Sequence, residues 1–164
     1  AKTDVYTGTI LVQKYAADSN GTADKTRPLA GAKFKLANGN TGDIKYAKID
    51  ETTKEVSWVG IDEATVVTTE ADGVAKFEGL AKGTYYLEEI EAPVGYNKLD
   101  ARQEVIVGEA DTANITQPAE VVNKTGAQLP STGGIGTTIF YVVGSILMLA
   151  AVVLFVTKKR SAER

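Results

Sequence analysis

Near its C-terminus the chain reads Leu129-Pro130-Ser131-Thr132-Gly133, five residues that offer one peptide bond to an attacking enzyme. Pro130 fixes its own φ and biases Leu129 away from helix, while Gly133 and Gly134 leave little side-chain bulk beside the Thr132–Gly133 bond. The segment is therefore expected to be extended and open, as protease-like recognition requires. Directly behind it an uncharged apolar run occupies residues 135–157, and Lys158, Lys159, Arg160 and Arg164 follow. At roughly 1.5 Å per helical residue, this run is long enough to cross a hydrocarbon core with some tilt. Basic residues beyond a span mark the cytoplasmic side, so everything before it is expected outside the membrane.

The 164 residues include no Cys and no His. That excludes a disulfide framework, thiol catalysis and Cys-based zinc sites, and it removes the commonest general base and metal ligand. Asp43, Asp50, Asp62, Asp72 and Asp111 do not follow an EF-hand spacing, and neither a metal nor a cofactor is expected. Lys and Arg number 18 against 21 Asp and Glu. Ahead of Gly133 the net charge is about −6 and beyond the apolar run about +3, so the ectodomain is acidic and a poor partner for nucleic acid. The start, Ala1-Lys2-Thr3-Asp4, carries neither an initiator Met nor an apolar export signal, although the C-terminal topology requires export. The chain is read as a piece of a longer precursor.

Residues 1–123 suffice for one domain with its own core. Short segments rich in β-branched and aromatic residues, at 9–15, 32–36, 44–49, 56–61, 64–69, 74–77, 84–90, 104–107 and 120–123, read as strands. Asn38-Gly39, Asp72-Gly73 and Lys82-Gly83 supply turns between them. No segment before Ile135 keeps a helical period for three turns. The expected fold is all-β, an antiparallel sandwich or a partly open barrel. Residues 124–134 form a linker presenting the pentapeptide, followed by the span at 135–157 and the tail at 158–164.

The pentapeptide, apolar run and basic tail together resemble the cell-wall sorting signal of Gram-positive surface proteins, Leu-Pro-any-Thr-Gly. The resemblance implies that a membrane transpeptidase, sortase, recognises Leu129, Pro130, Ser131, Thr132 and Gly133 and cleaves between Thr132 and Gly133. It then passes the Thr132 carbonyl to an amine on a neighbouring pilin subunit or a peptidoglycan cross-bridge. The apolar helix would serve only until that cut, leaving a secreted, wall-anchored protein. The alternative at this point is an ordinary loop ahead of a permanent membrane anchor.

A second resemblance lies upstream. Tyr85, Leu87, Glu89, Ala92, Pro93, Gly95 and Tyr96 match Tyr-any-Leu-any-Glu-Thr-any-Ala-Pro-any-Gly-Tyr, the E-box of Cna B-type and SpaA-type pilin domains, with Ile90 replacing the Thr. Leu29-Ala30-Gly31-Ala32-Lys33-Phe34-Lys35-Leu36 and Glu78-Gly79-Leu80 are similar to other segments of that family. The resemblance implies an immunoglobulin-like sandwich over residues 1–123; residues 38–72 are long for that family's connection between neighbouring strands and are read as an added hairpin. It further implies an intramolecular isopeptide bond between a first-strand Lys and a last-strand Asn, assisted by the E-box Glu. In this chain those residues are Lys14, Asn123 and Glu89.

Alternation along the strands agrees with that assignment. Lys14 shares a face with Ile10 and Val12, Glu89 with Tyr85 and Leu87, and Asn123 with Val121, so each extends an apolar face. Lys33, Lys35 and Glu88 fall on the opposite faces and are poorer candidates. Burial lowers a lysine pKa and favours the neutral amine, which can attack the Asn123 carbonyl while Glu89 protonates the departing ammonia. The alternative is a buried Lys14–Glu89 ion pair with no covalent bond. Such a domain acts on itself once and is no enzyme. Two functions follow: a pilin subunit, or the stalk of a wall-anchored adhesin or surface enzyme whose working domain lies upstream and meets a host ligand. Neither Tyr-Pro-Lys nor any Pro-Lys pair occurs, so a shaft subunit would carry its donor lysine upstream. Tyr6, Tyr46, Trp58 and Tyr96 are read as packing residues rather than an adhesive surface.

Overall fold

The computed structural model describes residues 6–110, 113–126 and 135–162, with backbone alone over 135–142. Two compact units divide the chain at residue 126. In the first, the described strands are β1 (Gly8–Ala17), β2 (Ala23–Pro28), β3 (Lys33–Ala37), β4 (Tyr46–Ile49), β5 (Val56–Val59), β6 (Val67–Thr68), β7 (Val74–Leu80), β8 (Gly83–Glu91), β9 (Gln103–Val107) and β10 (Ile115–Asn123). One sheet runs β10-β1-β2 with β7 also pairing β1; the other runs β5-β4-β3-β8-β9 with β6 pairing β3. The two pack as a sandwich, not a closed barrel.

Every second residue of β1 is fully buried, as period-two alternation demands of a strand with one inward face. Ile10, Val12, Phe77, Ala119 and Val121 of the first sheet meet Phe34, Leu36, Leu87, Val105 and Val107 of the second in one core. Burying the Ile, Val, Leu and Phe side chains among them contributes about 1.5–3 kcal/mol each.

Nine of the strands fall on segments that the sequence marks, and the departures have local causes. β2 was not expected, because Ala-Asp-Lys-Thr-Arg-Pro has no apolar alternation; none of it is buried, and it is held by β1 through Ala16↔Asp24 and Ala17↔Ala23. The segment 56–61 ends early in a short 3-10 turn, Ile61–Glu63, and 64–69 shrinks to β6. β10 starts at Ile115 and runs through Pro118, which is tolerated because β10 is a sheet edge.

The pairing of first and last strands corrects the antiparallel expectation. β1 and β10 run parallel, with Lys14 opposite Val121 and Ala16 opposite Asn123. No tight turn joins them, so no hairpin constrains their direction; the whole domain is the connection. As a result the chain enters β1 and leaves β10 at opposite ends of the sandwich.

The hairpin of β4 and β5 lies within the stretch expected to be an insertion. Its turn residue Lys54 has a φ of 60° and ion-pairs with Glu78 at 3.0 Å, beside Gly79, where any Cβ would overlap the Lys54 carbonyl oxygen. Trp58 of β5 is 38% exposed and stacks on Tyr85, ring centres 5.9 Å apart. Tyr46 is buried and Tyr96 pairs with Thr125, while Tyr6 remains open to solvent.

The second unit contains α1 (Ile135–Ala162), 28 residues long. Among the described residues no helix is long and apolar enough to cross a membrane. The expected span at 135–157 begins in the stretch described by backbone alone. From residue 143 onward α1 exposes Leu147, Met148, Leu149, Leu154 and Phe155, and the Thr157 hydroxyl bonds back to Val153 and Leu154.

Candidate functional site

Lys14 sits where β1 changes neighbours. Up to Gln13 the strand pairs β7, and from Tyr15 it pairs β2. At the switch the Lys14 amide donates to Gly73 O at 2.8 Å and its carbonyl accepts from Leu29 N at 2.9 Å. Gly73 has a φ of +77°, and a Cβ there would overlap the Lys14 carbonyl oxygen. The Asp72-Gly73 turn is therefore needed for this approach as well as for the reversal.

The lysine backbone is fixed on both sides, and its side chain points into the core. Lys14, Glu89 and Asn123 are exposed by no more than 2%. Parallel register explains the meeting of Lys14 and Asn123: Asn123 stands two residues beyond Val121, the partner of Lys14, and so on the same face. Glu89 comes from the facing sheet, the third inward residue of β8 after Tyr85 and Leu87. Glu89 Oε1 accepts from Asn123 Nδ2 at 2.8 Å and lies 3.6 Å from Lys14 Nζ. Its other oxygen accepts from the Leu99 backbone N–H at 2.8 Å.

Lys14 Nζ and Asn123 Oδ1 are buried without a hydrogen-bond partner among the described residues. An unsatisfied buried group costs about 1–3 kcal/mol, so the site is strained in energy though not in packing. Burial pulls the Lys14 pKa from 10.5 down to about 8, against the opposing pull of the nearby Glu89 carboxylate. A usable fraction of neutral amine is thus present near neutral pH. The amide is turned so that its nitrogen, the leaving group, faces Glu89. An amine, a carboxamide and a carboxyl group in this order can perform one acyl transfer: Nζ bonds to the Asn123 side-chain carbonyl carbon, Nδ2 departs as ammonia, and Glu89 relays the proton.

The poorer candidates have other work. Lys33 ion-pairs with Glu91 at 2.7 Å on the surface. Glu88 accepts from Tyr46 at 2.7 Å and Arg102 at 2.6 Å, and Arg102 also donates to Tyr46 at 2.9 Å. Burial alone would raise the Glu88 carboxyl, but the bonds from Tyr46 and Arg102 outweigh it and hold the group below its usual range. This network fastens β4 to β8 and was not expected from sequence, since its members lie far apart in the chain. Nor was the Leu99 contact, because a backbone N–H carries no residue-type signal. Among the described residues no group of acidic side chains could hold a metal ion.

Leu129, Pro130, Ser131, Thr132 and Gly133 lie outside the described residues, as does Asp111. The segment just before the pentapeptide is described. Asn97 N donates to Lys124 O and Gly126 N to Gly95 O, both at 2.9 Å, so the first three residues assigned to the linker are tied to the domain.

A two-sheet sandwich with paired first and last strands and a buried Lys-Glu-Asn group defines the class, a pilin-type surface domain. The chain belongs to the SpaA family, described as a prealbumin-like fold domain and matched over residues 8–121, and it carries the LPXTG cell wall anchor motif over residues 121–163. Among solved structures it is similar to the group B streptococcus pilus 2b backbone protein, with 36% identity and a TM-score of 0.59 over 76% of this chain and 43% of that one. A minor pilin of Streptococcus agalactiae shares 26% identity and a TM-score of 0.56, over 77% of this chain and 48% of its own. The shaft pilin of Lactobacillus rhamnosus GG shares the fold, with 23% identity, a TM-score of 0.52, and coverage of 77% and 50%. The chain spans at most half the length of each of these. No curated protein matches it. It is a sortase-anchored surface protein of the Gram-positive cell wall, built on a pilin domain.

Proposed function

We propose that the chain is the C-terminal part of a pilin subunit, joined through Thr132 to a neighbouring subunit or to peptidoglycan and locked by a Lys14–Asn123 isopeptide bond. The buried group of Lys14, Glu89 and Asn123 carries this reading. Its reaction is internal and happens once, so the domain has no turnover and is a structural element rather than an enzyme. In this reading the uncharged run at 135–157 holds the precursor in the membrane, with the basic tail inside, until sortase cuts.

Parallel pairing of β1 and β10 gives the bond its mechanical use. Load applied at Thr132 reaches Asn123 first and would otherwise shear β10 along β1. With the bond in place tension crosses to Lys14 and leaves down β1, and residues 15–122 lie off the load path. No cysteine is needed for such a cross-link, in agreement with a chain that has none.

Two measurements test the reading. The intact mass is expected to be about 17 units below the sequence mass, one ammonia for one bond; an unmodified mass in folded protein excludes the cross-link. Cell-wall extracts probed by immunoblot are expected to show a ladder of high-mass bands that disappears with Thr132→Ala. A single wall-linked band would instead identify a monomeric stalk.

A further inference from the structure

The segment from Gly95 to Leu99, at the end of the E-box and just beyond it, reaches the buried group at Leu99 and is fastened at both ends. Gly95, with a φ of +87°, turns the chain. Gly95 O then accepts from Gly126 N, Tyr96 pairs with Thr125, and Asn97 N donates to Lys124 O. Two residues later the Leu99 side chain packs against the core while its N–H donates to Glu89 Oε2. Residues 124–126, beyond the last strand, thus hold down the segment that orients the carboxylate.

We propose that residues 95–99 are a strap that positions Glu89 for bond formation through the Leu99 N–H, and that the strap is set only when residues 124–126 have zipped onto it. This rests on the isopeptide reading above. A carboxylate with one oxygen pinned by a fixed backbone donor presents the other, Oε1, to both Lys14 Nζ and Asn123 Nδ2. Freed of that donor, Glu89 can rotate about its terminal torsion and lose the amide. Leu99 is a positioning residue that touches neither reacting atom. The bond would then close only after the chain is complete through Gly126, although all three reacting side chains are present by Asn123. Closure becomes a late step, made after both sheets have packed.

The test follows the mass of the 164-residue chain in detergent micelles, synthesised in a short pulse and quenched at intervals. Leu99→Pro removes the N–H, and Leu99→Ala keeps it while losing the packing. Gly126→Pro removes the donor to Gly95, and Gly126→Ala keeps it while adding a Cβ that meets Asn97 Oδ1 at 3.0 Å. The expected result is closure slowed at least tenfold by Leu99→Pro and roughly fivefold by Gly126→Pro, with both alanine variants near the parent rate. Folding is read separately from Trp58 fluorescence, which reports the opposite hairpin. If Leu99→Pro fails to fold, Gly126→Pro decides, since it lies beyond the last core strand. Parent-like closure in Gly126→Pro, or equal slowing in Leu99→Ala and Leu99→Pro, overturns the strap. A parent chain that never loses the 17 units overturns the isopeptide reading instead.

Discussion

Asn123→Ala, which cannot form the cross-link, is expected to unfold on the order of 15 °C below the parent protein. The bond closes a loop of about 100 residues, and on the chain-entropy account a cross-link of that span stabilises by about 4.7 kcal/mol, chiefly by restricting the unfolded chain. The variant also keeps the Lys14 amine buried, with Glu89 Oε1 3.6 Å away and no hydrogen bond to Nζ, which adds to the loss. Glu89→Ala should fall to a similar temperature and return to the full sequence mass, because without the carboxyl the reaction does not proceed. Thermal unfolding of the parent and both variants, each paired with its mass, decides the matter. Variants that differ from the parent in mass but unfold within a few degrees of it would show that the cross-link carries no stability.

The unbonded Asn123→Ala domain is further expected to gain stability as pH rises from 8 to 10.5, by about 3 kcal/mol relative to the parent. In the folded chain without the bond burial holds Lys14 at about 8, against an unfolded value of 10.5, and Asn123→Ala leaves that burial in place. Below pH 8 both states are protonated and the folded one carries the whole cost of the buried charge. Between the two values the unfolded chain binds the extra proton, so stability climbs with pH. Above 10.5 both are neutral and the penalty is gone. In the bonded parent the nitrogen is an amide and does not titrate in this range. Urea unfolding of both proteins at pH 7, 8, 9 and 10 should therefore show curves that converge as pH rises. Parallel curves would mean that Lys14 is not desolvated as the structure shows.

Much of this protein was legible in its residues. The order Leu129-Pro130-Ser131-Thr132-Gly133, apolar run and basic tail has meaning because each part acts through local chemistry and length. Strand alternation around Ile10, Val12 and Lys14, and around Tyr85, Leu87 and Glu89, is likewise local, and it placed the three polar groups on inward faces before any contact was known. β2 escaped because a polar edge strand has no hydrophobic period to reveal it, and its place is set by the neighbour it pairs with.

What residue types determined by themselves was the address at the C-terminus, the all-β character and the identity of the buried lysine, glutamate and asparagine. The tertiary structure alone decided that β1 and β10 run parallel, that Lys14 sits at the change of partner between β7 and β2, and that the Leu99 backbone holds Glu89. Strand direction and backbone donation depend on contacts between residues far apart in the chain. Those contacts are selected by the packing of two whole sheets, and no short segment encodes them.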